Sequence, residues 1–291
     1  MVLAVLQGAS ELFPVSSLGH TVLVPALLHW KFDRSEPTFL AFVVALHLGT
    51  AVALVIFYRA DWVRIARALV SSVARGSLSN DPDERIGWLL VAGTVPVALL
   101  GVFLEAPVRR FFGSSAIVAT FLILNAFVMF AGEGLRRRQT TSVPSTAALR
   151  ASAQDKLSPR TLAELSWADA IKVGFAQSAA LLPGISRSGA SIVAGLLLRL
   201  SHEDAARYSF LLATPVIFAA SALELPKLFA PQAQAVLAQS AVGGVLAAVT
   251  AYASVAFLTR WFHSHDLRPF GWYCLIFGTL CLGLALAKVI A

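Results

Sequence analysis

The sequence predicts an all-α integral membrane protein built as two inverted-topology repeats, with about six transmembrane helices plus two re-entrant helix–break–helix hairpins. Three observations carry that prediction. Of 291 residues, 57% are hydrophobic and 13% charged, with a mean hydropathy of +0.75, whereas soluble domains carry about 25% charged residues. Six apolar runs, 38–58, 86–104, 114–132, 205–223, 236–258 and 269–290, approach the roughly 20 residues that span a hydrocarbon core. Two polar, proline-broken stretches, each ahead of three of these runs, align with one another.

The first stretch is QGASELFPVSSLGHT, residues 7–21. Gln7 and Glu11, four apart, point the same way on a first half-helix. Pro14 breaks that helix, because proline lacks the backbone donor and clashes with the preceding turn. Ser16 or Ser17 is placed to cap a second half-helix, on which Ser17 and His20, three apart, share a face. Irregular backbone at membrane depth is tolerated only where protein or a water-filled cavity covers it. Residues 1–29 are therefore expected to dip into the membrane and return on the same side, a kinked spanning helix being the alternative.

Runs 38–58, 86–104 and 114–132 follow. Loop 59–85 holds Arg59, Arg64, Arg67, Arg75 and Arg85, and loop 133–166 holds Arg136, Arg137, Arg138, Arg150, Lys156 and Arg160. Positive residues mark cytoplasmic loops, which places the first hairpin outside and leaves Arg109 and Arg110 outside against the rule. His47, mid-run beside Gly49, reads as buried helix-packing polarity with no assigned role. His29, Glu105, Glu133, His202, Glu203, Asp204, His263 and His265 read as solvated.

Segment 133–166 is a cytoplasmic linker between repeat one, 1–132, and repeat two, 167–291. Residues 177–191, QSAALLPGISRSGAS, aligned without gaps on the first stretch, match at Gln7/Gln177, Ala9/Ala179, Leu12/Leu182, Ser16/Ser186 and Gly19/Gly189, and Ser17 faces Arg187. Pro183-Gly184 interrupts this copy, so 168–200 is expected to form the second hairpin. Three crossings per repeat is an odd number, so repeat two enters upside down. Inverted repeats place their sites at the repeat interface near the bilayer midplane. Run 205–223 exits, 236–258 returns with Arg260 and Arg268 inside, and 269–290 carries the C-terminus out. Cys274 and Cys281 fall roughly 10 Å apart along one helix, too far for a disulfide, and are assigned to packing. The net charge of +7 lies in the loops, where topology and anionic headgroups account for it. Nucleic-acid binding is not expected.

The polar residues suggest a site. Ser186 takes the capping place equivalent to Ser16, with Arg187 and Ser188 in the first turn beyond it. Two half-helix N-termini then converge, and such termini bind phosphate. Arg187 adds forked donors suited to phosphate oxygens. Phosphate is the leading ligand, with Gln7, Ser16, Gln177, Ser186 and Ser188 as substrate-binding candidates. Glu11 would repel it, unless a divalent cation bridges the two and Gln7 supplies a neutral oxygen. Glu11 could instead act as a general base or orient His20. Ser17 beside His20 has the look of a nucleophile with its base, and His20 could equally be the nucleophile or the acid that protonates the leaving oxygen. A lipid flippase or transporter is the rival class, because inverted repeats with broken helices serve transport too. A structural scaffold leaves the buried charges without a purpose.

QGASELFPVSSLGH resembles the Q/E-G-x-T/S-E-F-L-P-V/I-S-S-x-G-H signature of the bacterial undecaprenyl pyrophosphate phosphatase family, also called BacA or UppP. LLPGISRSGAS matches that family's P-G-x-S-R-S-G signature, and LVAGTVPVALLG, YSFLLATPVIFAAS and RPFGWYCLIFG are similar to family segments. The resemblance covers essentially the whole chain. It implies a multi-pass inner-membrane phosphatase, with its site facing the external or periplasmic side. The implied reaction takes undecaprenyl diphosphate to undecaprenyl phosphate and phosphate, recycling the carrier lipid for peptidoglycan synthesis and giving bacitracin resistance. It also implies a divalent metal, Mg or Ca, and the partners considered are the lipid, the bilayer and a homodimer. By motif position, the resemblance makes Gln7 and Glu11 the amide/acid pair that binds metal. It makes Ser17 and His20 the catalytic serine and histidine, and Arg187 the phosphate-binding arginine. Three departures stand out. Gln7 occupies a position often held by glutamate, which weakens a two-carboxylate metal site. ELFP replaces the commoner EFLP, and only six residues precede Gln7, fewer than is usual in the family, so either the start is late or this hairpin is short.

Overall fold

A computed structural model describes residues 1–30, 37–141, 159–228, 234 and 236–290. With no water to satisfy backbone groups in lipid, helices are the economical solution for such an apolar chain, and the described residues are overwhelmingly helical. In order they are α1 (Val2–Ser10), α2 (Ser17–Leu27), α3 (Pro37–Phe57), α4 (Arg59–Arg75), α5 (Pro82–Arg109) and α6 (Ser115–Thr141). After the linker come α7 (Trp167–Ser178), α8 (Arg187–Leu197), α9 (His202–Leu228), α10 (Leu237–Ser264) and α11 (Arg268–Leu286). Five of them, α5, α6, α9, α10 and α11, are long and apolar enough to cross a membrane, and α3 with α4 makes a sixth candidate bent by 86°.

That bend corrects the reading of 59–85 as a loop. α4 buries Ile65, Ala68 and Ser72 against α5, where the Trp88 indole donates to Ser72 Oγ at 3.1 Å. Its outward face carries Arg59, Arg64, Arg67 and Arg75, so average hydropathy hides a helix that periodicity reveals. The linker also begins later than the apolar run suggests, since α6 continues to Thr141. Most of the linker, 142–158, lies outside the described residues. The extra turns explain why Glu133 is 1% exposed rather than solvated. Its Oε1 meets His202 Nε2 at 2.7 Å and accepts from the Leu267 amide at 3.0 Å, joining α6, α9 and the start of α11. Arg109 and Arg110 lie at the end of α5 and the start of a short 3₁₀ turn. Cys274 and Cys281 are free and buried.

Both polar stretches form helix–break–helix hairpins rather than kinked spans: α1 packs on α2, and α7 on α8. Each hairpin then leans on the other half of the chain. α1 lies against α10, and α7 against α5. Both contacts use a glycine at backbone distance. A Cβ on Gly8 would sit 2.3 Å from the Ala247 carbonyl, and one on Gly174 would sit 2.4 Å from that of Gly93. α3 packs on α9 and α10, and α6 packs on α8 and α11. This exchange brings the two hairpin tips face to face inside the bundle.

Candidate active site

The tips are joined by hydrogen bonds that cross between them. Asn125, fully buried in α6, donates from Nδ2 to the Pro14 carbonyl at 3.0 Å and accepts the Ser186 amide on Oδ1 at 3.0 Å. Ser188 Oγ donates to the Phe13 carbonyl at 3.1 Å. Gly184, at φ +115°, closes the second tip on α6, where a Cβ would lie 2.4 Å from the Val118 carbonyl. That conformation and that space admit only glycine.

The serine caps are equivalent, as the alignment requires. Ser16 Oγ accepts the Gly19 amide at 3.2 Å and starts α2, while Ser186 Oγ accepts the Gly189 amide at 3.1 Å and starts α8. Each cap satisfies one orphan amide of its helix and leaves the N-terminal dipole directed at the tip. Ser16 does this at φ +67°, a strain on the order of 1–3 kcal/mol for a residue with a Cβ.

Around this junction the charges converge. The Ser17 hydroxyl donates to Glu11 Oε2. The same oxygen accepts Gln7 Nε2 at 2.9 Å and lies 3.7 Å from His47 Nε2. Glu11 Oε1 accepts Arg187 Nη2 at 3.0 Å. Gln7, Glu11 and Ser17 are buried and Arg187 and His47 partly so, and an opposed pair in such a place must be geometrically matched to offset desolvation. Glu11, Ser16, Ser17, His47, Gln177, Ser186 and Arg187 reach a cavity of about 420 Å³ whose other walls are mostly apolar, among them Val43, Val97, Leu181 and Ile217, with Ser221 and Glu224 the polar exceptions. Among the described residues, Arg187 Nη1 is buried without a hydrogen-bond partner, as are Gln7 Oε1 and Gln177 Oε1. Buried polar atoms are nearly always paired, so Arg187 Nη1 is a donor that the chain itself leaves open beside the cavity.

The structure thus brings Gln7, Glu11, Ser17 and Arg187 together. It does not bring His20 to Ser17. The His20 ring is stacked on Tyr273 and Phe277, with Nδ1 2.7 Å from the Ser16 carbonyl and Nε2 2.7 Å from the Tyr273 hydroxyl. It is not among the residues lining the cavity. Three positions apart on one helix was sufficient for proximity, but the Ser17 side chain turns to Glu11 instead. Gln177 donates to the Gly93 carbonyl at 2.9 Å, bracing α7 on α5. Ser188 meets Ser186 at 3.1 Å as well as Phe13.

The sequence gives His47 no role and does not single out Asn125 or Tyr273. His47 had a usable signal, because an ionisable residue inside a span is functional by default. Asn125 and Tyr273 had none beyond polarity within apolar runs.

Gln7 Oε1, buried and unpaired, and the Glu11 carboxylate are hard oxygen donors of the kind a divalent ion takes. No cluster of three or more His, Cys, Asp or Glu suited to a metal occurs among the described residues. Of the two, Glu11 lines the cavity and Gln7 lies behind it, so an ion there would need most of its oxygens from a ligand and water. The pair does not amount to a protein cage.

Fold and site together define a helical membrane protein with an internal pocket, in which a serine hydroxyl bonded to a carboxylate stands beside an arginine. The chain belongs to the family described as bacitracin resistance protein BacA, which it matches over residues 1–280. It is 46% identical over 286 residues to the "undecaprenyl-diphosphatase" of Mycobacterium avium, covering 96% of this chain and 93% of that protein. It is 45% identical over 290 residues to "undecaprenyl-diphosphatase 2" of Chromobacterium violaceum, covering 97% and 96%. To "undecaprenyl-diphosphatase 2" of Burkholderia orbicola it is 44% identical over 282 residues, covering 97% and 94%.

Proposed function

We propose that this protein hydrolyses undecaprenyl diphosphate to undecaprenyl phosphate and inorganic phosphate, recycling the carrier lipid for peptidoglycan synthesis and conferring bacitracin resistance. One observation carries the chemistry: a Ser17 hydroxyl already bonded to Glu11, beside an arginine whose second nitrogen is unpaired. Family membership and the names of the relatives support the substrate. Nothing among these observations favours the flippase alternative.

The diphosphate enters the cavity with its prenyl tail leaving along the apolar walls. Its oxygens take Arg187 Nη1 and the free amides at the starts of α2 and α8, which stabilise charge as it develops. Ser17 Oγ attacks the terminal phosphorus while Glu11 takes its proton, and the bond to the bridging oxygen breaks to release undecaprenyl phosphate. Glu11 passes that proton to the departing undecaprenyl phosphate, then takes one from the water that attacks the phosphoserine; the Oγ–P bond breaks, inorganic phosphate leaves, and Glu11 returns the proton to Ser17 Oγ. His20 acts on the site indirectly, holding the Ser16 carbonyl from behind. Gln177, Ser186 and Ser188 hold the second tip in place. A divalent ion, Mg or Ca, held by Glu11 and Gln7 Oε1, supplies charge neutralisation to the diphosphate when bound.

The chain is read as two inverted repeats, 1–132 and 167–291, joined by a cytoplasmic linker. The matched helix order and the exchanged packing of α1 and α7 support this. The positive loops then direct the site to the external face of the bacterial inner membrane. A second copy of the chain is the protein partner considered. Phosphate release from undecaprenyl diphosphate by purified protein tests the proposal. Wild-type rates in Glu11→Ala or Arg187→Ala would overturn the site.

A further inference from the structure

His47 lines the cavity from α3, yet the chemistry above gives it no part. Its bonding is informative because one atom of Gln7 serves two neighbours. Gln7 Nε2 lies 2.9 Å from Glu11 Oε2 and 3.2 Å from His47 Nε2. The orientation of that amide follows from charge, since its oxygen cannot face a carboxylate at hydrogen-bond distance. The amide therefore presents NH₂ to both, giving one hydrogen to Glu11 and one to His47. His47 Nε2 must then accept. The ring proton belongs on Nδ1, where the Val43 carbonyl stands 2.9 Å away to receive it. One tautomer satisfies every contact: Nδ1–H to Val43, Nε2 accepting from Gln7, and Gln7 donating to Glu11.

We propose that His47 is a positioning residue, anchored on the Val43 carbonyl, that holds the Gln7 amide and through it the Glu11 carboxylate in line with Ser17. Glu11 Oε2 is the oxygen that receives the Ser17 proton, and Gln7 is its neutral donor. Without His47 the Gln7 amide has one hydrogen unspent and is free to rotate. Glu11 Oε2 then loses the contact that keeps it at Ser17. The proposal rests on the diphosphatase reading for its kinetic consequence, but its tautomer can be observed without any substrate.

Two experiments on the full-length protein in nanodiscs test it. Histidine side-chain nitrogen NMR should show His47 with a protonated Nδ1 and an unprotonated Nε2, and the Nε2 resonance should move in Gln7→Leu. A protonated Nε2, or no response to Gln7→Leu, would overturn the proposal whatever the substrate. In the phosphate-release assay, His47→Leu should lower kcat on the order of 10- to 100-fold with little change in KM, as displaced catalytic groups do. His47→Gln, whose amide oxygen reaches the Nε2 position, should recover most of the rate. His47→Asn, which reaches only the Nδ1 position, should not. In a Gln7→Leu background, His47→Leu should add less than about twofold, because the two act as one unit. Additive losses, or equal rates for the Gln and Asn variants, would overturn it. No phosphate release by the wild type would instead sink the diphosphatase reading and leave the NMR arm to decide.

Discussion

At the first tip Ser16 caps α2 and at the second Ser186 caps α8, each receiving the amide of the glycine three residues on. Beyond those caps the two hairpins diverge at the positions that carry charge. Leu181 stands where the first has Glu11, Arg187 where it has Ser17, Ala190 where it has His20, and Gly184 where it has Pro14. Even the shared glutamine is used differently. Gln7 serves Glu11 and His47, while Gln177 braces α7 on the backbone of α5. Repetition of the scaffold directs two helix N-termini at one place. Divergence then puts carboxylate and hydroxyl on one tip and the cation on the other. Two faithful copies would have faced carboxylate with carboxylate.

The strongest way to break this division is to remove one side of it. Glu11→Gln should cut the rate of phosphate release by about 1,000-fold, the scale of a lost general base, with the protein still folded in detergent. Arg187→Lys tests the cationic side: it keeps the charge but not the fork, and should cost about 10- to 100-fold. Comparable losses in kcat and kcat/KM would mark contacts made in the transition state. A double variant exchanging the partners, Glu11→Arg with Arg187→Glu, should keep an ion pair yet remain inactive, because the base has left Ser17.

Smaller effects separate the tips by their backbone. Gly184→Ala, at φ +115° and facing the Val118 carbonyl, should lower stability by roughly 3 kcal/mol in an unfolding titration. Gly19→Ala, whose new Cβ would meet Ser16 Oγ at 3.3 Å, should cost less. Asn125→Leu removes both halves of the brace between the tips and should cost about 1–3 kcal/mol, because the Ser186 N–H is left unpaired and the Pro14 carbonyl keeps only the weak Cys274 thiol donor. Ser186→Ala should cost about 1 kcal/mol as a lost cap. Ser16→Gly should be milder still, because glycine relieves the strain at φ +67° as it removes the cap.

Much of this was legible in the sequence because it is local or compositional. The apolar runs predict spanning helices, Pro14 and Pro183-Gly184 predict the breaks, and the gapless alignment predicts equivalent caps at Ser16 and Ser186. Glu11 and Arg187 stand out because charge inside a membrane protein needs a purpose. What escaped is long-range or masked by averaging. Asn125 bonds Pro14 across 111 residues, His20 bonds Tyr273 across 253, and His47 meets Gln7 across 40. No spacing rule reaches that far. α4 escaped because its arginines lower the mean hydropathy of a segment whose inner face is apolar and small.

The central claim is that Ser17, activated by Glu11 on the first tip, attacks a phosphate held by Arg187 on the second. Turnover of undecaprenyl diphosphate, quenched rapidly and read by phosphopeptide mass spectrometry, tests it most directly. Phosphate should be found on Ser17 and should accumulate when breakdown of the intermediate is slowed. Phosphate on His20, or full turnover by Ser17→Ala, would contradict it.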